Sequence, residues 1–142
     1  MASPEAGRVL RLHTAQVQTH ARVEFKDITE LIQKVVTESR VQNGMCFLFV
    51  PHTTAALLIN ENSDPALQKD LDNFLTLLAP RDRGYQHNDG NCDAHLKAAL
   101  LGNSKSLLVE NGRLILGRWQ GVFMCEFDGP RRRELRIKVV AD

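Results

Sequence analysis

Three of the five histidines in this 142-residue chain fall where metal or acid–base chemistry could use them. His52 closes an apolar, strand-like run, His87 lies in a polar loop, and His95 follows eight residues later in the first turn of a helix. Three neutral imidazoles with one open position form a standard catalytic zinc arrangement, because zinc accepts tetrahedral nitrogen donors and keeps a place for water. The spacing is not a compact motif of the HExxH kind, so a second reading stands beside it: two loop histidines and one strand-end histidine with unrelated tasks. Cys92, three residues before His95, is either a further donor to the same centre or a buried free thiol.

Carboxylates surround this region: Glu61, Asp64, Asp72, Asp89, Asp93, Glu126 and Asp128. Asp64 is explained as a helix cap, and Asp93 can cap a second helix. Glu126 stands inside an apolar stretch, residues 122–127, where a carboxylate must be paired, hydrogen-bonded, metal-bound or turned to water. Facing the histidines, it is a general base or the group that orients a ligand imidazole. Strand alternation favours the other orientation, outward. Thr53, Thr54, Arg131 and Arg133 offer hydroxyl and guanidinium donors suited to a phosphate or carboxylate. Trp119, followed by Gln120, reads equally as a pocket wall or a core residue. The chain has neither a P-loop nor a GxGxxG segment, and no serine stands in a nucleophile-elbow context.

The elements that must position these groups are legible in outline. Residues 9–23 alternate loosely and suggest one long or two short strands. Asp27 can cap a helix with Glu30 three residues on, and Ile28, Leu31, Ile32, Val35 and Val36 form its apolar stripe. Asn43-Gly44 ends that segment. Residues 45–50 read as a buried central strand, and residues 55–59 as a second apolar run beyond the polar insert Pro51-His52-Thr53-Thr54. Asp64-Pro65 opens another helix, with Leu67, Leu71, Phe74, Leu75 and Leu78 on one side and Pro80 as its stop. Residues 81–92 form a long polar loop, of the kind more often functional than accidental. A short helix over residues 93–101 ends at Gly102. Two hairpins follow: residues 107–116 around Asn111-Gly112, and residues 122–140 around Asp128-Gly129-Pro130. Mixed strands and helices ending in an antiparallel meander predict an α+β fold, a mostly antiparallel sheet packed by helices.

The length suits one domain, residues 9–142, behind a flexible leader of eight residues. A net charge of +1 gives no reason to expect a polyanion or a membrane surface as partner. The basic cluster Arg131-Arg132-Arg133 is followed at once by Glu134, so nucleic acid is not expected. Three widely spaced cysteines without a CxxC pair make a poor disulfide framework and fit a reducing compartment. No apolar run approaches the roughly 18 to 20 residues of a membrane span, and the start of the chain lacks a secretory core, so a cytoplasmic protein is expected.

Several stretches taken together resemble a known family. They are Pro51-His52-Thr53-Thr54-Ala55-Ala56-Leu57 with Asn60-Glu61; the run from His87 to Asn91 with Asp93-Ala94-His95-Leu96-Lys97; Gly112-Arg113-Leu114 with Leu116-Gly117; Trp119-Gln120; and Glu126-Phe127-Asp128-Gly129-Pro130-Arg131. In order and spacing these resemble the YjbQ family, also called the secondary thiamine-phosphate synthase family, over residues 12–140. The resemblance implies a small α+β fold assembling as a homotrimer, with pockets at or near subunit interfaces. It implies a divalent metal, most often zinc, on His52, His87 and His95. It also implies a low thiamine-phosphate synthase activity, which joins a pyrimidine diphosphate to a thiazole phosphate and releases pyrophosphate. Phosphorylated small molecules would meet Arg131, Thr53, Thr54 and Trp119, while Glu126 and Glu61 would act as acid–base groups or orient the metal's ligands. Two departures stand out: Cys92 replaces an expected small apolar residue, and Val122-Phe123-Met124-Cys125 is bulky and sulfur-rich. The expectation is therefore a metal-binding enzyme of this family acting on a phosphorylated small molecule. The alternatives are a trimeric protein that binds a small anion or metal without catalysis, and a zinc-dependent hydrolase.

Overall fold

The computed structural model describes residues 12–142. The expected leader and the first residues of the first strand lie outside the described residues. Eleven elements follow in order: β1 (His13–Gln18), β2 (Glu24–Asp27), α1 (Thr29–Ser39), β3 (Gly44–Phe49), β4 (Ala55–Glu61), α2 (Pro65–Leu78), α3 (Cys92–Leu101), β5 (Ser104–Glu110), β6 (Arg113–Ile115), β7 (Gln120–Glu126) and β8 (Arg132–Ala141). The α+β expectation holds, with every strand pair antiparallel.

The strands form two sheets, one ordered β1-β8-β3-β5-β6 and the other β2-β7-β4. Their inner faces share a core: Leu48, Ile137 and Leu135 from the larger sheet meet Leu57, Val122 and Met124 from the smaller, and Ile32 and Val36 of α1 close it. Each such side chain stabilises the fold by roughly 1.5–3 kcal/mol through apolar burial. The other face of the smaller sheet is covered by Ala94 and Ala98 of α3 together with Leu75 of α2, packed on Ala56, Phe123, Cys125 and Phe127. β7 is thus buried on both faces, which explains its unbroken apolar run.

Local signals hold where they are chemical. Asp27 Oδ1 accepts the Thr29 N–H and hydroxyl at the start of α1, but the cap position is Ile28 and the expected box with Glu30 does not form. Asp64 Oδ1 accepts the Ala66 N–H at the start of α2. Asn111 and Gly112 both take positive φ, 53° and 75°, as the tight turn between β5 and β6 requires.

Four expectations are corrected. Strand β3 is central in its sheet but alternates, with Phe47 and Phe49 turned outward. In α2 only Leu75 is buried, and Phe74 and Leu78 are exposed. Asp93 does not cap α3; it is buried in an ion pair with Arg22 and lies 3.6 Å from Lys97. Strands β7 and β8 are not a hairpin, since β7 pairs with β2 and β4 whereas β8 pairs with β1 and β3. Residues 127–131 instead cross from one sheet to the other.

That crossing is tightly enclosed. A Cβ on Gly129 would stand 2.4 Å from the Ala21 carbonyl oxygen and 2.9 Å from Thr19 Oγ1. Overpacking of this kind costs about 1–3 kcal/mol, so Gly129→Ala is expected to lower the urea midpoint accordingly. An unchanged midpoint would mean that the crossing is looser than described.

Candidate functional site

The crossing brings β8 alongside the insert between β3 and β4, and the chemistry-bearing residues gather there. A pocket of about 340 Å³ is walled by Pro51, His52, Thr53, Asn91, His95, Asp128 and Arg131, with Thr54 and Arg133 beneath them. A second cavity of about 440 Å³ shares His52, Thr53 and His95 and continues over Ala55, Ala98 and Gly102.

Its floor is an ion pair. Glu126 is wholly buried, and its carboxylate receives Arg133 Nε at 2.9 Å, Arg133 Nη2, the Thr19 hydroxyl at 2.8 Å and the Asp128 N–H at 3.1 Å. Burial by itself would raise this carboxyl's pKa, but the Arg133, Asp128 and Thr19 hydrogen bonds and the Arg133 charge hold it below its ordinary value. Neither the expected outward orientation nor an opening to the pocket is what the chain adopts: Glu126 is an ionised anchor with its oxygens occupied. Arg133 Nη2 also donates to the Thr54 hydroxyl at 2.8 Å and to its carbonyl at 3.3 Å. Thr54 is therefore committed to this floor, whereas Thr53 is exposed at the rim.

A second chain of hydrogen bonds forms the wall. Asn91 Nδ2 donates to Asp128 Oδ2 at 2.9 Å, and Arg131 donates through Nε to the Asp128 carbonyl at 2.9 Å and through Nη2 to Oδ2 at 3.1 Å. His87 Nε2 lies 3.2 Å from Asn91 Oδ1, and the His87 and His95 rings meet edge to face with centroids 4.9 Å apart. Arg131 remains half exposed, its fork fixed at one end and open at the other.

His52 is turned differently. Its Nε2 accepts the backbone N–H of Glu134 at 2.9 Å. Burial first, then the charge of Arg133, pulls the imidazole pKa below its ordinary value, against the opposing pull of Glu134 and Glu126. A ligating histidine ordinarily gives one lone pair to the metal and donates the other ring N–H. With the Nε2 lone pair already accepting a backbone hydrogen bond, His52 does not fit that role. Among the described residues no group of three or more His, Cys, Asp or Glu side chains is placed to hold a metal ion. No preformed three-histidine centre over His52, His87 and His95 is found among the described residues: His87 and His95 are neighbours, and the His52 ring is bonded to the backbone of β8.

Two expected site residues lie elsewhere. Glu61 ends β4 opposite Gln120, whereas Ala55 at the strand's start lies beside the site; six residue steps of strand separate them, about 20 Å. Trp119 stands at that same far end, exposed, with the Arg118 guanidinium 5.2 Å from its ring centroid. It is neither a core residue nor a wall of this pocket. Cys92 lines a separate hollow with Arg81, Tyr85 and His87. Sequence reasoning missed Asn91 as a link between His87 and Asp128, and also the buried Arg22–Asp93–Lys97 cluster. The Asp93–Lys97 spacing of four residues within a helix was the available signal for the latter.

These features define a two-sheet α+β domain with one polar pocket at the crossing between its sheets. The UPF0047 protein YjbQ-like family matches residues 13–142, and the chain belongs to that family. It is 46% identical over 127 residues to a UPF0047 protein of Methanocaldococcus jannaschii, covering 89% of this chain and 92% of that protein. It is 42% identical to the UPF0047 protein YugU of Bacillus subtilis, covering 91% of this chain and 98% of that one. Two solved structures are similar: a YjbQ/UPF0047 protein of Clostridium acetobutylicum (TM-score 0.87, 44% identity, 89% and 98% coverage) and a YbjQ-like protein of unknown function from Sulfolobus solfataricus (TM-score 0.90, 33% identity, 95% and 99% coverage). None of these four is described as a thiamine-phosphate synthase, a transferase or a metal enzyme. The expectation of a metal-binding enzyme with thiamine-phosphate synthase activity is therefore corrected, and with it the zinc-dependent hydrolase alternative. Among the described residues no helix is long and apolar enough to cross a membrane.

The ion pair sets a pH dependence. Glu126 stays ionised in the folded chain where the unfolded carboxyl, near 4.5, begins to take up a proton. Its stabilisation is thus complete above that value and is lost as pH falls through the lowered folded value. Glu126→Gln is expected to cost about 3–5 kcal/mol at neutral pH, because it leaves the Arg133 charge buried without its partner. Urea titrations should show the gap between native chain and variant narrowing in acid; a gap independent of pH would contradict an ionised pair.

Proposed function

We propose that this chain binds a small anionic molecule, a phosphorylated one being the class its donors suit, in the pocket beside Arg131. The observation that carries the reading is the Arg131 side chain: half exposed at the pocket, and held by Asp128 so that part of its guanidinium stays open. A guanidinium fixed in this way matches the oxygens of a phosphate or carboxylate and loses little freedom on binding. The pocket's volume, about 340 Å³, lies in the range of small-molecule sites. Thr53, His52 and His95 add polar groups around the same space.

Assembly as a homotrimer is part of this reading. Phe47, Phe49, Leu108 and Ile115 stand exposed on the larger sheet, and Phe74, Leu77, Leu96 and Leu100 on α2 and α3. Apolar surface of this extent supports a protein interface. Free thiols at Cys46, Cys92 and Cys125 support residence in the reducing cytoplasm.

Binding of inorganic phosphate by calorimetry at low ionic strength tests the pocket. Arg131→Ala is expected to weaken it about tenfold, the equivalent of roughly 1.4 kcal/mol. Arg131→Lys should recover only part of the loss, because an ammonium keeps the charge without the planar fork. Equal affinity in all three proteins would remove the anion reading.

A further inference from the structure

His52 stands on the boundary between the two cavities and is the one residue of the pocket whose ring is bonded to the backbone of the opposite strand. The Glu134 N–H can only donate, so the nitrogen it meets must offer a lone pair. A neutral imidazole carries one proton, and with Nε2 unprotonated that proton sits on Nδ1. No described residue supplies an acceptor within hydrogen-bond distance of Nδ1, the Glu134 contact being the ring's one hydrogen bond. Buried side-chain nitrogen and oxygen atoms without a partner are absent among the described residues. Nδ1 of this half-buried ring is therefore not enclosed by protein.

The geometry points to His52 as a specificity-determining residue that presents a fixed Nδ1–H donor to the bound anion, with the Glu134 backbone amide selecting the tautomer. This rests on the anion-binding reading of the pocket and adds to it the chemical demand on the ligand: an acceptor oxygen opposite His52, alongside the one met by Arg131. In this tautomer His52 neither takes a proton from the ligand through Nε2 nor gives a lone pair to a cation. Removing the donor leaves the anion facing Arg131 alone; removing the Glu134 contact leaves the donor present but free to turn.

Long-range proton–nitrogen correlation spectra of the isotope-labelled full chain at neutral pH read the tautomer directly. The expected pattern is a protonated Nδ1 and an unprotonated Nε2 at His52. An Nε2–H pattern, or shifts averaged between tautomers, overturns the inference whatever phosphate does. Adding inorganic phosphate should move the His52 Nδ1 resonance, and two variants separate the ring's two contacts. His52→Gln can place its amide oxygen where Nε2 stood and keep the Glu134 bond, but it loses the donor; phosphate affinity should fall about tenfold, as for a hydrogen bond to a charged group. His52→Asn keeps an amide N–H near the Nδ1 position and should bind more tightly than His52→Gln. The reverse order, or unchanged affinity in both while Arg131→Ala still weakens binding, overturns the role of His52 and leaves the pocket reading standing. No phosphate binding by the native chain overturns the pocket reading and the ligand contact with it.

Discussion

The buried contact between Glu126 and Arg133 is the constraint on which the rest of the site depends. Taking two charges out of water costs several kcal/mol per ion, and their attraction offsets this only with good geometry and full hydrogen bonding. Here the carboxylate meets donors from three separate segments: Thr19 after β1, Asp128 in the crossing and Arg133 in β8. Arg133 in turn reaches Thr54, beside β4. One ion pair therefore joins both sheets at the point where the chain passes between them. The Thr19 hydroxyl also accepts the Arg131 N–H, and the Thr19 and Arg131 backbones are bonded at 3.0 Å. Residues 127–131 are thus held from both sides, and the outward direction of Arg131 follows from what lies beneath it.

A second polar cluster performs a similar task for the helices. Asp93 pairs with Arg22, while Lys97, almost fully buried, lies 3.3 Å from the Thr76 hydroxyl of α2. Burial would raise the Asp93 pKa, but the Arg22 hydrogen bonds and charge, with Lys97, keep it below its ordinary value. Since Leu75 is the only buried residue of α2, this polar link and that single side chain tie the helix down. Phe74, Leu77 and Leu78 do not reach a core within the chain. Like the outer side of the larger sheet, they leave apolar surface exposed.

How much of this was legible depended on whether a signal was local. Caps and turns are written in adjacent residues, so Asp64 and Asn111-Gly112 could be read with their mechanism, whereas Asp27 holds the start of α1 through Thr29 and not as the cap of a box with Glu30. Two of the stretches that carried the family resemblance, the run from Glu126 to Arg131 and the Pro51-His52-Thr53-Thr54 insert, do converge in the fold. Misreadings arose where the answer depended on long-range placement. Alternation argued that Glu126 faced outward, but alternation fails for a strand buried on both faces. Proximity in sequence suggested a β7–β8 hairpin, yet the intervening residues change sheet. Glu61 and Trp119 belong to motifs near the site in sequence, but an extended strand carries them to its far end. For His52 the residue type suggested a ligand, whereas the partner that sets its chemistry is a backbone amide 82 positions away.

The pocket's polar groups are oriented before any ligand arrives. Asp128 fixes Arg131, Asn91 ties Asp128 to the loop of His87, and the Glu134 amide sets the ring of His52. Each contact removes a rotation that a ligand would otherwise have to freeze, at about 0.5–1.5 kcal/mol per immobilised side chain. The supporting partners come from strands and from a crossing locked by the buried pair, so the orientation is set by the fold itself. On the proposed reading, a small anion, which offers few atoms and little apolar area, would be recognised mainly by donors already aimed at its oxygens. The crossing between two sheets provides such a place: backbone from β8, a rim from the β3–β4 insert and an arginine anchored in the turn, all referred to one carboxylate beneath them.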